Sequence, residues 1–267
     1  MRRQSPQFND EHARRWHDRD AASSYQHRIP YTSATIDALI ALISDNDSAV
    51  LDVGCGTGNI ARAIAPRVSR VDAVDFAPEM IEAGRGLPGG DAANIRWHVA
   101  KAEDCELNPP YALVVGGASL HWMDYGVVLP RFARALTERG LVAVVSAREH
   151  GHNPWDAPVK EIAAAYTTAK KYVPFDMIPV WEAAGLFEQA GERLTDPVVF
   201  EQSVEHFIAG FHALSHLTRA HIDAESFDTE IRTVMARYCP DGVVRRLIRG
   251  HLVWGKPLVG LMDAPGS

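Results

Sequence analysis

The stretch Val50–Ala61, VLDVGCGTGNIA, constrains this chain more than any other. A short apolar run ends at Asp52, glycines follow at alternate positions (Gly54, Gly56, Gly58), and a helical pattern begins near Asn59. Glycine lets the backbone turn tightly and approach a ligand without a Cβ in the way. The helix N-terminus behind such a loop presents unpaired N–H groups. Strand, glycine loop and helix in that order open an α/β sheet, in which ligands bind beyond the carboxyl ends of the strands.

The same rhythm continues along the chain. Val71–Asp75, Asn94–Val99, Ala112–Val115 and Leu141–Ser146 are β-branched runs too short for helices. Between them, Thr32–Ser44 sets Ile36, Leu39, Ile40 and Ile43 on one helical face, and Asn59–Arg67, Ala77–Gly84 and Gly126–Thr137 are similar. This alternation predicts a doubly wound, mostly parallel sheet covered on both faces. After Arg148 the rhythm breaks. A loop at Glu149–Pro158 leads to a helix over Lys160–Tyr172 and a turn and helix over Phe175–Ala184. Leu186–Gln202 reads as a strand pair or one long bent strand. Amphipathic helices follow over Val204–Arg219 and Ala224–Tyr238, then a last strand over Val243–Trp254. The expected organisation is an N-terminal helical arm or lid over residues 1–31 and one domain over 32–267. Helical cap insertions are expected around 151–184 and 203–240.

Composition narrows the function classes. The chain has 267 residues, 46% apolar and 23% charged, which fits a folded globular protein. Its formal charge of −7 supplies no basic field for a nucleic-acid backbone. Three cysteines (Cys55, Cys105, Cys239) are too few for a disulfide framework and point to a reducing, cytoplasmic compartment. The N-terminus reads without a secretory or twin-arginine signal, and the apolar run Tyr111–Met123 is short of the ~20 residues of a membrane span. A soluble protein is expected.

Two cofactor classes compete for the loop. A dinucleotide fold wants G-x-G-x-x-G, and its third glycine position is held by Asn59 here. A phosphate-cradling G-x-x-x-x-G-K-[ST] is absent. G-x-G-x-G with an acid two residues upstream resembles the class I, seven-stranded, Rossmann-like S-adenosylmethionine-dependent methyltransferases. Further segments match that family in order: AVDFAPEMI, HVAKAEDCEL, YALVVGGASLHWMD and GLVAVVS. The resemblance covers residues 32–150 and, weakly, the last strand. The arm Tyr25–Tyr31 and the SLHWMD segment resemble the small-molecule branch that includes trans-aconitate methyltransferase.

The resemblance implies seven strands and S-adenosyl-L-methionine as cofactor. It places Asp75 on the ribose hydroxyls, both of which one carboxylate can accept. Phe76, Met80, Ala102 and Glu103 fall around the adenine, and Gly54, Gly56, Gly58 and Gly117 lie beside the cofactor. Asp52 orients the loop or the ammonium group, and Tyr25 and Arg28 close over the cofactor. Tyr31, His121 and Trp122 are expected on the acceptor. Two departures stand out: Lys101 and Ala112 occupy positions where relatives often carry an acid.

His121 is the candidate general base, since an ordinary imidazole titrates near ~6.5; the plainer reading is a packing histidine beside Trp122. Arg28 suits a carboxylate of the cofactor or the acceptor. Trp155, Tyr172, Phe175, Trp181, Phe207 and Phe211 are expected mostly in the cap's core, with a few on an apolar acceptor pocket. Of the later histidines (His150, His152, His206, His212, His216, His221), His212 and His216 stand i, i+4, but no metal-site spacing accompanies them and no metal is expected. The expectation is in-line methyl transfer to an oxygen or nitrogen nucleophile of a small metabolite. Alternatives are a C-methyltransferase, an RNA methyltransferase, a nucleotide-cofactor oxidoreductase and a non-catalytic cofactor-binding protein. An RNA substrate would need Arg2, Arg3, Arg14, Arg15, Arg245, Arg246 and Arg249 on one face near the site.

Overall fold

The computed structural model describes residues 15–44, 48–169 and 176–259. Arg2, Arg3, Arg14, Tyr172 and Phe175 lie outside the described residues, as does the end of the helix expected over Lys160–Tyr172. The strands are β1 (Ala49–Val53), β2 (Arg70–Asp75), β3 (Ile95–Val99), β4 (Tyr111–Gly117), β5 (Leu136–Glu149), β6 (Phe187–Leu194), β7 (Val198–Ser203) and β8 (Val243–Pro257). They form one sheet in the order β3-β2-β1-β4-β5-β8-β6, with β7 also on β8. Pairing is parallel from β3 to β5 and antiparallel where β8 enters.

Eight strands are present where seven are expected, and the difference lies in one lane. β6 pairs with residues 251–257 of β8 and β7 with residues 243–248, both antiparallel, so the two run head to tail along one edge. Thr195–Pro197 interrupts them. Thr195 keeps the register there: its N–H donates to Gly250 O and its Oγ1 accepts from Gly250 N–H. Proline has no N–H to continue the ladder. Leu186–Gln202 is thus a bent strand and not a hairpin.

The central strands bury both faces because their side chains alternate. Leu51, Val114 and Val142 point to one side, against Phe132 and Trp181; Val50, Leu113 and Ala143 point to the other, against Ile36, Leu39, Ile60 and Ile64. Each buried Val, Leu, Ile or Phe among them contributes roughly 1.5–3 kcal/mol. A third cluster joins α6 (Asp156–Tyr166), α8 (Val204–His212) and α9 (Ala224–Tyr238) through Trp155, Phe207, Phe227, Ile231 and Met235. Inside it His212, 1% exposed, bonds Leu217 O through Nδ1 (2.8 Å) and Asp228 Oδ1 through Nε2 (2.7 Å). His212 is therefore occupied as a packing element. Among the described residues no helix is long and apolar enough to cross a membrane.

Chain direction around β1 positions the site. From β1 the chain passes outward to β2 and β3, then returns to β4 on β1's other side. Order reverses between β1 and β4, and the loops leaving those two strands part to leave a crevice.

Candidate active site

Gly54, Gly56 and Gly58 have positive φ values of 62°, 55° and 72°. They are needed for different reasons. A Cβ at Gly54 would fall 2.4 Å from Ser119 Cβ, and one at Gly56 would meet the Tyr25 ring at 3.3 Å. A Cβ at Gly58 would strike the Trp97 ring at 2.3 Å. Gly58 is also the N-cap of α3 (Asn59–Ile64). Gly54 and Gly56 line a cavity; Gly58 does not, and its role is helix start and packing.

Asp75 ends β2 with 7% exposure. Its Oδ2 accepts from Gly56 N–H (2.8 Å) and its Oδ1 from Ala77 N–H (2.9 Å), so the carboxylate is fixed on both sides. Burial raises its pKa above the ordinary value against these hydrogen bonds. Asp52 is deeper. Its Oδ2 accepts from Ala61 N–H (3.0 Å), Oδ1 has no hydrogen-bond partner among the described residues, and burial, with the nearby Asp75 charge, pushes its carboxyl up to about 7. Asp52 does not line the cavity; it holds the helix behind the loop.

The cavity has a volume of about 320 Å³. Asp75, Phe76 and Met80 form one side, Ala100–Glu103 the next, Gly117–Ser119 and Trp122–Met123 the third, and Trp16, His17, Tyr25 and Arg28 close it from the arm. Glu103 Oε1 accepts Asp124 N–H (2.9 Å), which orients that acid. The arm is locked by aromatic edges: Trp16 meets Tyr25 at 5.9 Å and Trp122 at 6.4 Å. Arg15 Nη1 bonds Thr168 Oγ1 (2.6 Å) and Ser215 O (2.9 Å), joining arm to cap.

A second chamber of about 500 Å³ lies beside the first. Tyr31, Trp155, Val159, Phe207 and Phe211 give it apolar and aromatic walls, and Arg28, Glu149, Lys160 and Arg246 give it charge. Tyr25, Arg28 and Ala118 line both cavities. Ala118 has a φ of 55°, a left-handed backbone that costs a residue with a Cβ about 1–2 kcal/mol. That strain sits where the two cavities meet.

A buried carboxylate with Phe76 and Met80 beyond β2, a glycine loop beyond β1 and the Ala100–Glu103 wall beyond β3 suit a nucleoside with a polar tail. A methyltransferase-domain family model matches residues 50–140. Residues 50–140 carry a methyltransferase domain. The chain is 31% identical over 130 residues to a malonyl-[acyl-carrier protein] O-methyltransferase of Acetivibrio thermocellus, a match that spans 48% of this chain and 43% of that relative. It is 26% identical over 200 residues to a trans-aconitate 2-methyltransferase of Methylobacterium nodulans, covering 66% and 76% of the two. A solved chain from Anaeromyxobacter dehalogenans, described as a type II methyltransferase, shares the fold with a TM-score of 0.60 at 19% identity, over 85% of this chain and 96% of that one.

From the methyltransferase domain, Gly54, Gly56, Asp75, Phe76, Met80, Ala102, Glu103 and Gly117 come together on the first cavity, joined by Tyr25 and Arg28 of the arm. Tyr31 lies on the second, where burial raises its hydroxyl pKa first of all. Trp122, expected on the acceptor, stands instead on the wall of the first cavity, because the turn Leu120–Trp122 points its ring toward Trp16. His121 lines neither cavity. Burial, and then the Arg28 charge, lower its pKa to about 4. Trp16, His17, Ser119 and Met123 also line the first cavity and were not expected from sequence. Ser119 and Met123 sit in the SLHWMD segment already singled out; Trp16 and His17 carry no spacing signal. Of the arginines that an RNA groove would need, Arg15 is tied to the cap, Arg245 pairs with Glu201 and Asp241, and Arg246 with Glu149.

Proposed function

We propose that the chain transfers the methyl group of S-adenosylmethionine to an oxygen or nitrogen nucleophile of a small molecule seated in the larger chamber. The observation that carries this reading is the meeting of two cavities at Tyr25, Arg28 and Ala118. When bound, the cofactor supplies an electrophilic methyl on a sulfonium. The chain's own residues then have to hold, align and keep water out. Asp75 retains lone pairs on both oxygens for the ribose hydroxyls. Gly54 and Gly56 admit the cofactor's backbone-facing side, and Phe76, Met80 and Ala102 flank its base, with Glu103 and Gly117 beside them. Arg28, stacked 5.1 Å over Tyr25, offers its guanidinium to a carboxylate at the junction. Asp52 and Gly58 support the loop from behind.

A carboxylate acceptor needs no base, whereas a hydroxyl or amine loses a proton. His121 is neutral near pH 7 and stands beside Arg28 and Trp122, so its role is to position them. The described arm residues, 15–31, act as a lid, and the described parts of the segments around 151–184 and 203–240 form the cap. That enclosure favours a small acceptor over RNA. Free, buried Cys55, Cys105 and Cys239 fit a cytoplasmic setting. The relatives' names support the same chemistry.

The test is calorimetric titration with S-adenosylhomocysteine and NADH, followed by incubation with methyl-labelled S-adenosylmethionine and either a small-metabolite extract or total RNA. S-adenosylhomocysteine binding and label in small products support the reading. Saturable NADH binding alone, or label only in RNA, overturns it.

A further inference from the structure

The acceptor chamber contains a buried cation that the methyl-transfer chemistry does not use. Arg246, on β8, is 6% exposed and lines the larger chamber without reaching the smaller one. Its guanidinium lies 5.0 Å from the Phe207 ring and 5.6 Å from the Phe200 ring. Nη1 donates to Glu149 Oε1 at 2.5 Å, the one hydrogen bond of this side chain among the described residues; Nε is buried with no partner. Burying a guanidinium with donors unmet is costly. The aromatic rings hold the planar fork in place, ready for an oxyanion.

Charge around it has the matching sign. Arg28, Lys160 and Arg246 face the chamber against Glu149 and Asp156. Asp156 uses both carboxyl oxygens on Asn153, accepting its N–H (2.8 Å) and its Nδ2 (3.2 Å). The chamber is thus biased positive in a chain whose formal charge is −7. Position matters as well. Ala118, at the junction of the cavities, donates its N–H to Val145 O, while Glu149 lies four residues farther along β5. At about 3.3 Å per strand residue, that is about 13 Å from the junction of the two cavities.

We propose that Arg246 anchors a carboxylate-class oxyanion of the acceptor at the end of the chamber remote from the methyl. The acceptor is then an elongated amphipathic acid with an apolar or aromatic body, whose methylated atom and anchoring acid are different groups roughly 13 Å apart. Glu149 holds Arg246 in place and competes with that acid. This inference rests on the methyltransferase reading and names the acceptor class for the same site.

The test uses two probes of one aromatic body, 8-anilinonaphthalene-1-sulfonate and the uncharged N-phenyl-1-naphthylamine, titrated by fluorescence into the full chain saturated with S-adenosylhomocysteine. The wild type is expected to bind the sulfonate at least tenfold more tightly than the neutral probe. Arg246→Gln brings the two within about threefold and leaves the neutral probe and S-adenosylhomocysteine unchanged. Glu149→Gln, which keeps Arg246, tightens the sulfonate severalfold; where Arg246→Gln fails to fold, this variant decides alone. Equal binding of the two probes by the wild type, or a preference indifferent to both substitutions, overturns the anchor. A wild type that fails to bind S-adenosylhomocysteine sinks the methyltransferase reading itself, whereas cofactor binding with no charge preference sinks Arg246 alone.

Discussion

The backbone N–H of Gly56 donates to Asp75 Oδ2 over 2.8 Å, tying the loop after β1 to the carboxylate after β2. Ala77 N–H occupies the other oxygen, so the carboxylate is oriented from both sides and still has lone pairs facing the cavity. Asp75→Ala should weaken S-adenosylhomocysteine binding ten- to hundredfold, roughly 1.5–3 kcal/mol. Asp75→Asn should lose nearly as much, because an amide sets an NH₂ against one of two backbone donors. Calorimetry on both variants checks this; a loss under threefold removes Asp75 from the cofactor's wall.

Asp52 gives a pH dependence of defined sign. Burial, and the Asp75 charge beyond it, raise its carboxyl from 3.8 to about 7. A carboxyl whose pKa is raised on folding contributes stability below its unfolded value and loses it as pH rises through the folded one. The loss runs from about pH 4 to pH 7 and amounts to at most about 4 kcal/mol. Asp52→Asn keeps an oxygen for Ala61 N–H and has no charge to form. Its advantage over wild type in urea unfolding should grow from near zero at pH 4 to a plateau above pH 7; a constant difference across that range contradicts the assignment.

The sheet was legible in the sequence because β1, β2 and β4 are short, mostly apolar runs rich in valine, and they are buried on both faces almost throughout. The loop and Asp75 were legible for the same local reason. Trp16 and His17 were not, since an arm closes on the cavity through contacts distant in sequence, such as Trp16 with Trp122. In the sequence Arg246 stands out only as one of the arginines that an RNA groove would need. Its burial depends on Phe200 and Phe207, brought to it by the register of β7 on β8 and the packing of α8.

Gly58→Ala should destabilise the fold without direct loss of a cofactor contact. The left-handed φ costs about 1–2 kcal/mol and the collision with Trp97 about 1–3 kcal/mol more. Adding Trp97→Leu should restore the second part and leave the first, as read by urea midpoints. No recovery in the double variant means that Trp97 is not the obstacle.

His121 should behave as a positioning group. Its pKa of about 4 leaves it neutral across the working range, and it lies outside both cavity walls. His121→Asn is expected to lower kcat less than about tenfold and to leave the pH–rate profile between pH 6 and 8 unchanged. A loss beyond a hundredfold, with an ionisation near 6.5 vanishing from the profile, restores the general-base role.

Tyr25 lines both cavities, and its ring overlies Gly56 and carries Arg28 on one face and the edge of Trp16 against it. Its hydroxyl makes no hydrogen bond to another of the described residues, so Tyr25→Phe should keep kcat and both KM values within about twofold. Tyr25→Ala removes the ring that aligns the two chambers and the support for Arg28. Alignment lost at that junction should lower kcat by about a hundredfold while raising the KM of each substrate severalfold. If Tyr25→Ala raised only the cofactor's KM, the ring would be a wall of one cavity and not the partition between two.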